Sequence, residues 1–286
     1  MSTSRYDVFL KAVECGSLSA AAEQLGYTQS AVSQIISSLE RELGVTLLTR
    51  GKYGVRLTTD GAALRPCMEA IRRAEEAMQD RLLDLKGVVS GRTRVGTLTS
   101  VSCHILPPVI RHFQKKYPQI TLELRQGDYR QIEGWILDGT VDMGFLRLPL
   151  SAKLDTIPFL EDEMVVVLPE DHLWAKEERI RADRLTGAPF VLQEEGYNED
   201  LKRYFRENGV APRIDLRISD DYTIMSFVEQ GIGVSILPET VLKRSPYRVV
   251  SRPLEPSHRR SIGIACLDRA GLSTASRLFV EEALAR

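Results

Sequence analysis

Three helices are written into the first forty-four residues by the spacing of their apolar positions. Tyr6, Phe9, Leu10 and Val13 fall on one face of a helix that ends at Gly16. The run Ser19-Ala20-Ala21-Ala22-Glu23-Gln24-Leu25 predicts a short second helix, capped at Ser17 or Ser19 and stopped by Gly26. In a third, from Thr28 to Leu43, the residues Val32, Ile35, Ile36, Leu39 and Leu43 recur at i, i+3, i+4, i+7 and mark a buried side. Beyond Gly44 the period shortens. Val45 to Arg50 and Val55-Arg56-Leu57 flank a Gly51-Lys52-Tyr53-Gly54 loop, as a two-stranded ribbon requires. Thr58 then caps a long helix running to about Lys86, in which Leu64, Met68, Ile71, Met78, Leu82 and Leu85 form the seam of a coiled coil, interrupted at Glu75. Pro66 requires either a kink or that the regular helix start there.

Gly87 to Gly91 reads as a hinge, after which strands and helices alternate. Strands are predicted at Arg94–Leu98, Ile120–Leu124, Val141–Leu146, Met164–Leu168, Phe190–Leu192, Ile214–Ile218, Val234–Leu237 and Ile262–Leu267. Helices are predicted around Leu106–Phe113, over Tyr129–Asp138, near Asn198–Asn208 and Tyr222–Gln230, and over Ser273–Leu284. Such alternation implies a mainly parallel α/β sheet. The pattern repeats in two halves, with Met164–Leu168 and Ile264–Leu267 as the segments that cross between them.

The third helix carries Ser30, Ser33, Gln34 and Ser37 opposite its apolar side, and no charged residue lies between Glu23 and Glu40. A solvated helix face ordinarily carries Lys and Glu. Short neutral side chains that donate and accept suit the edges of base pairs in the major groove, where Gln pairs bidentately with adenine. The competing reading is a polar helix that only packs. A helix, a short turn containing glycine and a second helix, crossing closely over Ala20, Ala21 and Ala22, make a helix-turn-helix. The formal net charge of −1 argues against a nucleic-acid binder at the level of the whole chain. Charge is segregated, however: between Glu42 and Asp60 stand Arg50, Lys52 and Arg56 without a single acid. Contacts from such a ribbon set affinity and register rather than sequence choice.

The run Phe9…Val13…Gly16-Ser17-Leu18-Ser19…Ala21-Ala22…Leu25-Gly26…Gln29-Ser30-Ala31-Val32-Ser33…Ile36…Leu39-Glu40…Leu43-Gly44…Leu47-Leu48…Arg50…Leu57-Thr58…Gly61 closely resembles the winged helix-turn-helix of LysR-type transcriptional regulators. The family commonly shows a second Arg three residues after the position of Arg50; Tyr53 stands there, beside Lys52. The resemblance implies a DNA-binding domain over residues 2–58, a dimerisation helix over 59–87 through Leu64, Met68, Ile71, Met78, Leu82 and Leu85, and an effector-binding domain over 92–286. That last domain resembles a periplasmic binding protein, with one lobe about 92–163 and 268–286 and the other about 164–267. The expected fold class is therefore α/β, a winged helix-turn-helix and linker helix followed by a two-lobe α/β domain. The DNA contacts expected are Ser19, Thr28, Gln29, Ser30, Ser33, Gln34, Ser37, Arg50, Lys52, Tyr53 and Arg56.

Ligands of open α/β sheets sit beyond the carboxyl ends of the strands. That rule selects Thr99, Ser100 and Ser102 after the first strand, Asp128 after the second, Arg147 after the third, and Gln193 and Thr223 from the second lobe. Hydroxyls at a helix opening and the planar fork of Arg147 predict an anionic metabolite. Taken singly, Ser100 is better read as a helix cap and Arg147 as a surface ion-pair residue; together, at positions that match the pocket of the family this chain resembles, they favour the pocket.

Cys15, Cys67, Cys103 and Cys266 lie far apart, without metal-ligand spacing to any His. They read as reduced structural thiols. The alternatives are a redox-sensing regulator using Cys103 and, further off, an enzyme built on Cys103 and His104; a nucleoid-packing protein is a third rival. The Met-Ser-Thr-Ser-Arg-Tyr-Asp start lacks an apolar h-region and Met164–Leu168 is too short to cross a bilayer, so a cytoplasmic protein is expected. The full expectation is a non-enzymatic homodimer or homotetramer without cofactor or metal. Its partners are operator DNA, a small-molecule effector and RNA polymerase, and no membrane.

Overall fold

The computed structural model describes residues 4–51, 54–85, 90–194 and 198–285. Lys52 and Tyr53, the hinge residues Gly87, Val88 and Val89, and the side chain of Leu85 lie outside what is described. The chain forms two compact units, one of residues up to 88 and one of the bulk of 89–286.

The first unit opens with α1 (Arg5–Cys15), α2 (Leu18–Leu25) and α3 (Gln29–Leu43). Each begins on a hydroxyl cap: Ser4, in a capping box with Asp7, then Ser17, then Thr28. Each ends on a glycine in the left-handed region, Gly16, Gly26 and Gly44. Their buried faces, including Phe9, Ala21, Val32, Ile36 and Leu39, share one core with Leu47, Leu48 and Val55. Strands β1 (Leu48–Gly51) and β2 (Gly54–Leu57) pair antiparallel, so β1 starts later than the expected Val45. Helix α4 (Thr59–Leu85) runs unbroken through Pro66. Its seam divides in two. Met68 is buried and Leu64 half-buried in the core of this unit, whereas Ile71, Met78 and Leu82 are exposed. The first turns of α4 therefore roof their own domain, and only the later positions are left facing solvent.

The second unit is built on a sheet of mixed direction. Strands β3 (Gly91–Thr97), β4 (Ile120–Gln126) and β5 (Met143–Leu148) are parallel, as the alternation predicted. Helices α5 (Thr99–His104), α6 (Leu106–Lys116) and α7 (Tyr129–Leu137) connect them, so two helices occupy the region where one was expected. Two long strands, β6 (Asp155–Pro169) and β11 (Val249–Cys266), then pair antiparallel along nearly their whole length and pass through both lobes. The strand order is β10-β6-β11-β5-β3-β4, with β10 (Ser235–Pro238) antiparallel to β6. The short β7 (Ile180–Arg181) runs parallel to β11, and β8 (Pro189–Gln193) pairs parallel with β9 (Arg213–Ile218). Helices α8 (Asn198–Glu207), α9 (Asp221–Glu229) and α10 (Glu239–Leu242) belong to the second lobe, and α11 (Thr274–Leu284) closes the first.

The expected crossover segments are thus only the apolar halves of longer strands. The halves that were not expected carry Pro158, Glu161, Asp162 and Glu163 on β6 and Pro253, Pro256, Arg259 and Arg260 on β11. Opposite charges stand across the ladder there, Glu163 opposite Arg259 and Asp162 opposite Arg260, which favours this register. One boundary shifts in consequence. Ile262, Ile264, Ala265 and Cys266 pack in the core of the first lobe, not the second, because they lie between β5 and the first half of β6.

The ribbon of the first unit is fixed by a close approach. Gly54 has φ +100°, and a Cβ there would sit 2.1 Å from the carbonyl oxygen of Gly16, which accepts from the Val55 amide at 2.9 Å. Gly54→Ala is expected to destabilise the N-terminal unit by about 1–3 kcal/mol. Urea unfolding of the full chain followed by circular dichroism checks this, and an unmoved first transition refutes it.

Candidate functional site

The neutral face of α3 is presented as a surface. Gln29, Ser30 and Gln34 are exposed, and Ser33 and Ser37 are half-buried. Thr28 Oγ1 accepts from the Ala31 amide at 3.2 Å and lies 3.0 Å from Ser30 Oγ, so the cap itself belongs to the polar face. Arg50 reaches across from β1: its Nη1 donates to Ser33 Oγ at 2.8 Å and its Nη2 to Ser37 Oγ at 3.2 Å. The ribbon is fastened to the same helix by Glu40, whose Oε1 accepts from the amides of Leu47 at 2.7 Å and Leu48 at 3.1 Å. Ser19 on α2 and Arg56 on β2 are also exposed. The helix face and the ribbon cation therefore form one surface of hydroxyls, amides and guanidinium, in which Arg50 covers part of the surface predicted to meet bases.

A cavity of about 350 Å³ opens between the two lobes of the second unit. Its wall is made where β3, β4, β8 and β9 end, as the strand-end rule predicts. Thr99, Ser100, Asp128 and Gln193 line it. Ser102, Arg147 and Thr223 do not. Ser102 Oγ donates to the Thr99 carbonyl at 3.2 Å, Arg147 stands on β5 opposite Ile262, and Thr223 turns its amide and hydroxyl to Asp220 Oδ2, each at 2.7 Å. The assignment of these three to the cavity wall is therefore corrected.

Sequence reasoning missed Gln126, Tyr129, Gln131, Ser219, Asp220, Asp221 and Arg260, all of which line the cavity. The strand-end rule reached the right loops and four of the lining residues but missed these neighbours; Ser219-Asp220-Asp221 follows β9 directly and carries a cap signature that would have found it. Arg260 gives no such signal. It is 3% exposed, and its Nε and Nη2 donate to Asp162 Oδ2 at 3.1 and 2.7 Å. Nη2 also donates to Ser100 Oγ at 2.8 Å and Nη1 to the Tyr129 hydroxyl at 3.3 Å. The other oxygen of Asp162 accepts from the amide and hydroxyl of Thr240 at 3.1 and 2.8 Å. One buried ion pair thus holds α5 and α7 of the first lobe and α10 of the second.

A second bridge between the lobes joins His104 Nε2 and the Tyr222 hydroxyl at 3.0 Å. Burial, then the charges of Lys243 and Arg244, hold the His104 pKa below its usual value, and burial first and Cys103 second push the Tyr222 phenol up. Cys103 is exposed; Cys266 is buried, with its thiol pushed up to about 11 by burial. All four cysteines are free thiols, and no described group of His, Cys, Asp and Glu is placed to hold a metal ion.

A helix-turn-helix with a basic ribbon, joined in one chain to a two-lobe α/β domain with a cleft, is the architecture of a DNA-binding transcriptional regulator with an effector-binding domain. Comparison with known proteins agrees over the whole length. Residues 4–62 match the bacterial regulatory helix-turn-helix model of the lysR family, and residues 86–286 match the LysR substrate binding domain. The HTH-type transcriptional regulator YvbU of Bacillus subtilis is 30% identical over 99% of this chain and 98% of its own. The Hca operon transcriptional activator HcaR of Escherichia coli is 31% identical over 86% and 84%. Among solved structures, full-length OxyR of Pseudomonas aeruginosa superposes with a TM-score of 0.77 at 22% identity, covering 99% of this chain and 95% of that one. Full-length CbnR, solved with its target DNA, superposes at 0.71 and 20% identity, covering 99% of each. The chain belongs to the LysR-type transcriptional regulators, as its N-terminal residues implied.

Two outcomes follow for the cleft. Replacing Arg260 by Leu strands the Asp162 carboxylate in the interior and is expected to cost about 3–5 kcal/mol. A urea midpoint equal to that of the parent chain refutes the structural role assigned to the pair. Because the folded state favours neutral His104, stability is fully present above the ordinary His pKa and declines as pH falls through the depressed one. Between about pH 7 and pH 5 the parent chain should therefore lose more stability than His104→Gln, and parallel melting curves refute this.

Proposed function

We propose that this regulator works as a homo-oligomer on operator DNA in the cytoplasm, without enzymatic activity, and that a small ligand in the lobe cleft alters its grip on the operator. The observation that carries the reading is the uncharged face of α3 beside Arg50. Ser30, Ser33 and Gln34 read base edges, while Arg50, Arg56, Lys52 and Tyr53 meet phosphate or the minor groove. On binding, Arg50 exchanges its bonds to Ser33 and Ser37 for DNA oxygens, which frees two hydroxyls in the same step. Dimerisation through the exposed Ile71, Met78 and Leu82 supports this mode. It sets two such helices about 34–36 Å apart, or a multiple of that, on one face of a duplex. RNA polymerase is the expected protein partner.

A second reading, thiol-based sensing, is favoured only by the exposure of Cys103. An enzyme built on Cys103 and His104 gains nothing from the geometry, since the described partner of the His104 ring is the Tyr222 hydroxyl.

The double substitution Ser33→Ala, Gln34→Ala tests the first reading in fluorescence anisotropy with a selected operator and a scrambled duplex. Binding to the operator should weaken by about 10-fold or more, from ~1–3 kcal/mol per lost base contact, with little change on scrambled DNA. Equal affinity for the operator before and after overturns the assignment of this face.

A further inference from the structure

We propose that Arg41 and Arg50 form a clamp for a single phosphate of the DNA backbone, closed over Ser37 at the far end of the polar face of α3. The proposal rests on reading that face and the ribbon as the DNA contact, and it adds to that contact a residue outside the eleven expected from the sequence.

Arg41 lies on the polar side of α3. Ser30, Gln34, Ser37 and Arg41 follow one another at steps of four, three and four residues, which stacks them along one face of the helix. That face is uncharged through Ser37, and the first charge on it is this exposed guanidinium. Its Nε donates to the Ser37 carbonyl at 3.3 Å. Arg50, arriving from β1, donates through Nη2 to the hydroxyl of the same residue at 3.2 Å and through Nη1 to Ser33 Oγ at 2.8 Å. Two cations from different elements are thus anchored on one serine.

The acids nearest in sequence do not neutralise them. Glu40, the residue before Arg41, gives Oε1 to the amides of Leu47 and Leu48. Glu42, the residue after it, pairs with Arg5 on α1. Among the described residues neither Arg41 nor Arg50 has a carboxylate partner; their hydrogen bonds go to Ser33 and Ser37.

A cation in the last turn of a helix is stabilised by the helix dipole and needs no further role. That accounts for Arg41 but not for Arg50, which comes from the ribbon and brings a like charge to the same residue. Like charges gathered without a counter-ion repel. A phosphodiester supplies the missing charge. Arg41 spends only Nε on the helix, so both of its Nη groups are left to donate, and a guanidinium fork matches phosphate oxygens. Such a contact adds affinity and fixes how α3 sits along the groove, without choosing bases.

The test uses the full-length chain in fluorescence anisotropy with the selected operator and the scrambled duplex, between about 50 and 200 mM salt. Arg41→Gln should weaken both duplexes by a similar factor, about tenfold. In the double variant Arg41→Gln, Arg50→Gln the slope of log affinity against log salt should become shallower by about 1 for each subunit bound, because one phosphate is released; two separate phosphates would remove about 2. Arg41→Lys keeps the charge and should keep the parent slope. A role for Arg41 confined to helix stability would show in urea unfolding and leave the slope unmoved. Unchanged affinity of Arg41→Gln for both duplexes, a loss confined to the operator, or a slope change near 2 or near zero in the double variant overturns the clamp. If Ser33→Ala, Gln34→Ala leaves operator preference intact while Arg41→Gln weakens both duplexes, the base-reading role fails and the clamp stands.

Discussion

The second half of this molecule depends on one ion pair. Asp162 and Arg260 face each other on the two strands that run through both lobes, and each reaches beyond its partner, Asp162 to Thr240 and Arg260 to Ser100 and Tyr129. Two charges buried so deeply are tolerable only because nearly every polar atom is answered. The same pair places Ser100 and Tyr129 at the cavity wall and uses up the only cation described there. Structural support and ligand chemistry are therefore not separable at this point: what stabilises the lobes also leaves the cleft rich in carboxylates.

In the N-terminal unit a single carboxylate plays the comparable part. Glu40 sits at the end of the neutral face of α3 and accepts two amides where the first strand of the ribbon begins. Unlike a surface ion pair, it satisfies backbone donors that would otherwise be left unpaired, and such bonds cost most when broken. Arg50 then returns from that strand to the face of α3. The elements expected to meet DNA are thereby positioned by side-chain bonds as well as by the shared apolar core.

How much of this was legible depended on whether a residue's role was local. Caps at Ser17 and Thr28, the αL glycines and the buried Val32, Ile36 and Leu39 of α3 follow from neighbours within one or two turns and were readable, whereas Leu43, expected on the same side, is exposed because it lies in the last turn of α3. Met68 was misjudged because a heptad seam looks the same whether it faces a second subunit or the roof of its own domain. The charged halves of β6 and β11 were missed because neither is apolar and both contain proline; only the partner strand, a hundred residues away, makes their charges complementary. In the cleft, strand ends pointed to the correct loops through Ser100, Asp128 and Gln193. They could not reveal Arg260, whose position is decided by a register set far from it in sequence.

The paired strands β6 and β11 also limit how the lobes can move. A hydrogen-bonded ribbon resists stretching and shearing, since either would break several bonds together, yet it yields readily to torsion. Rotation of one lobe against the other is then a twist about the ribbon axis, and the atoms displaced least are those nearest that axis, Asp162 and Arg260 among them. Displacement grows with distance from the axis. Residues at the rim of the cleft travel furthest for a given angle, so a small twist at the pivot is geared to a larger excursion at the periphery of the domain.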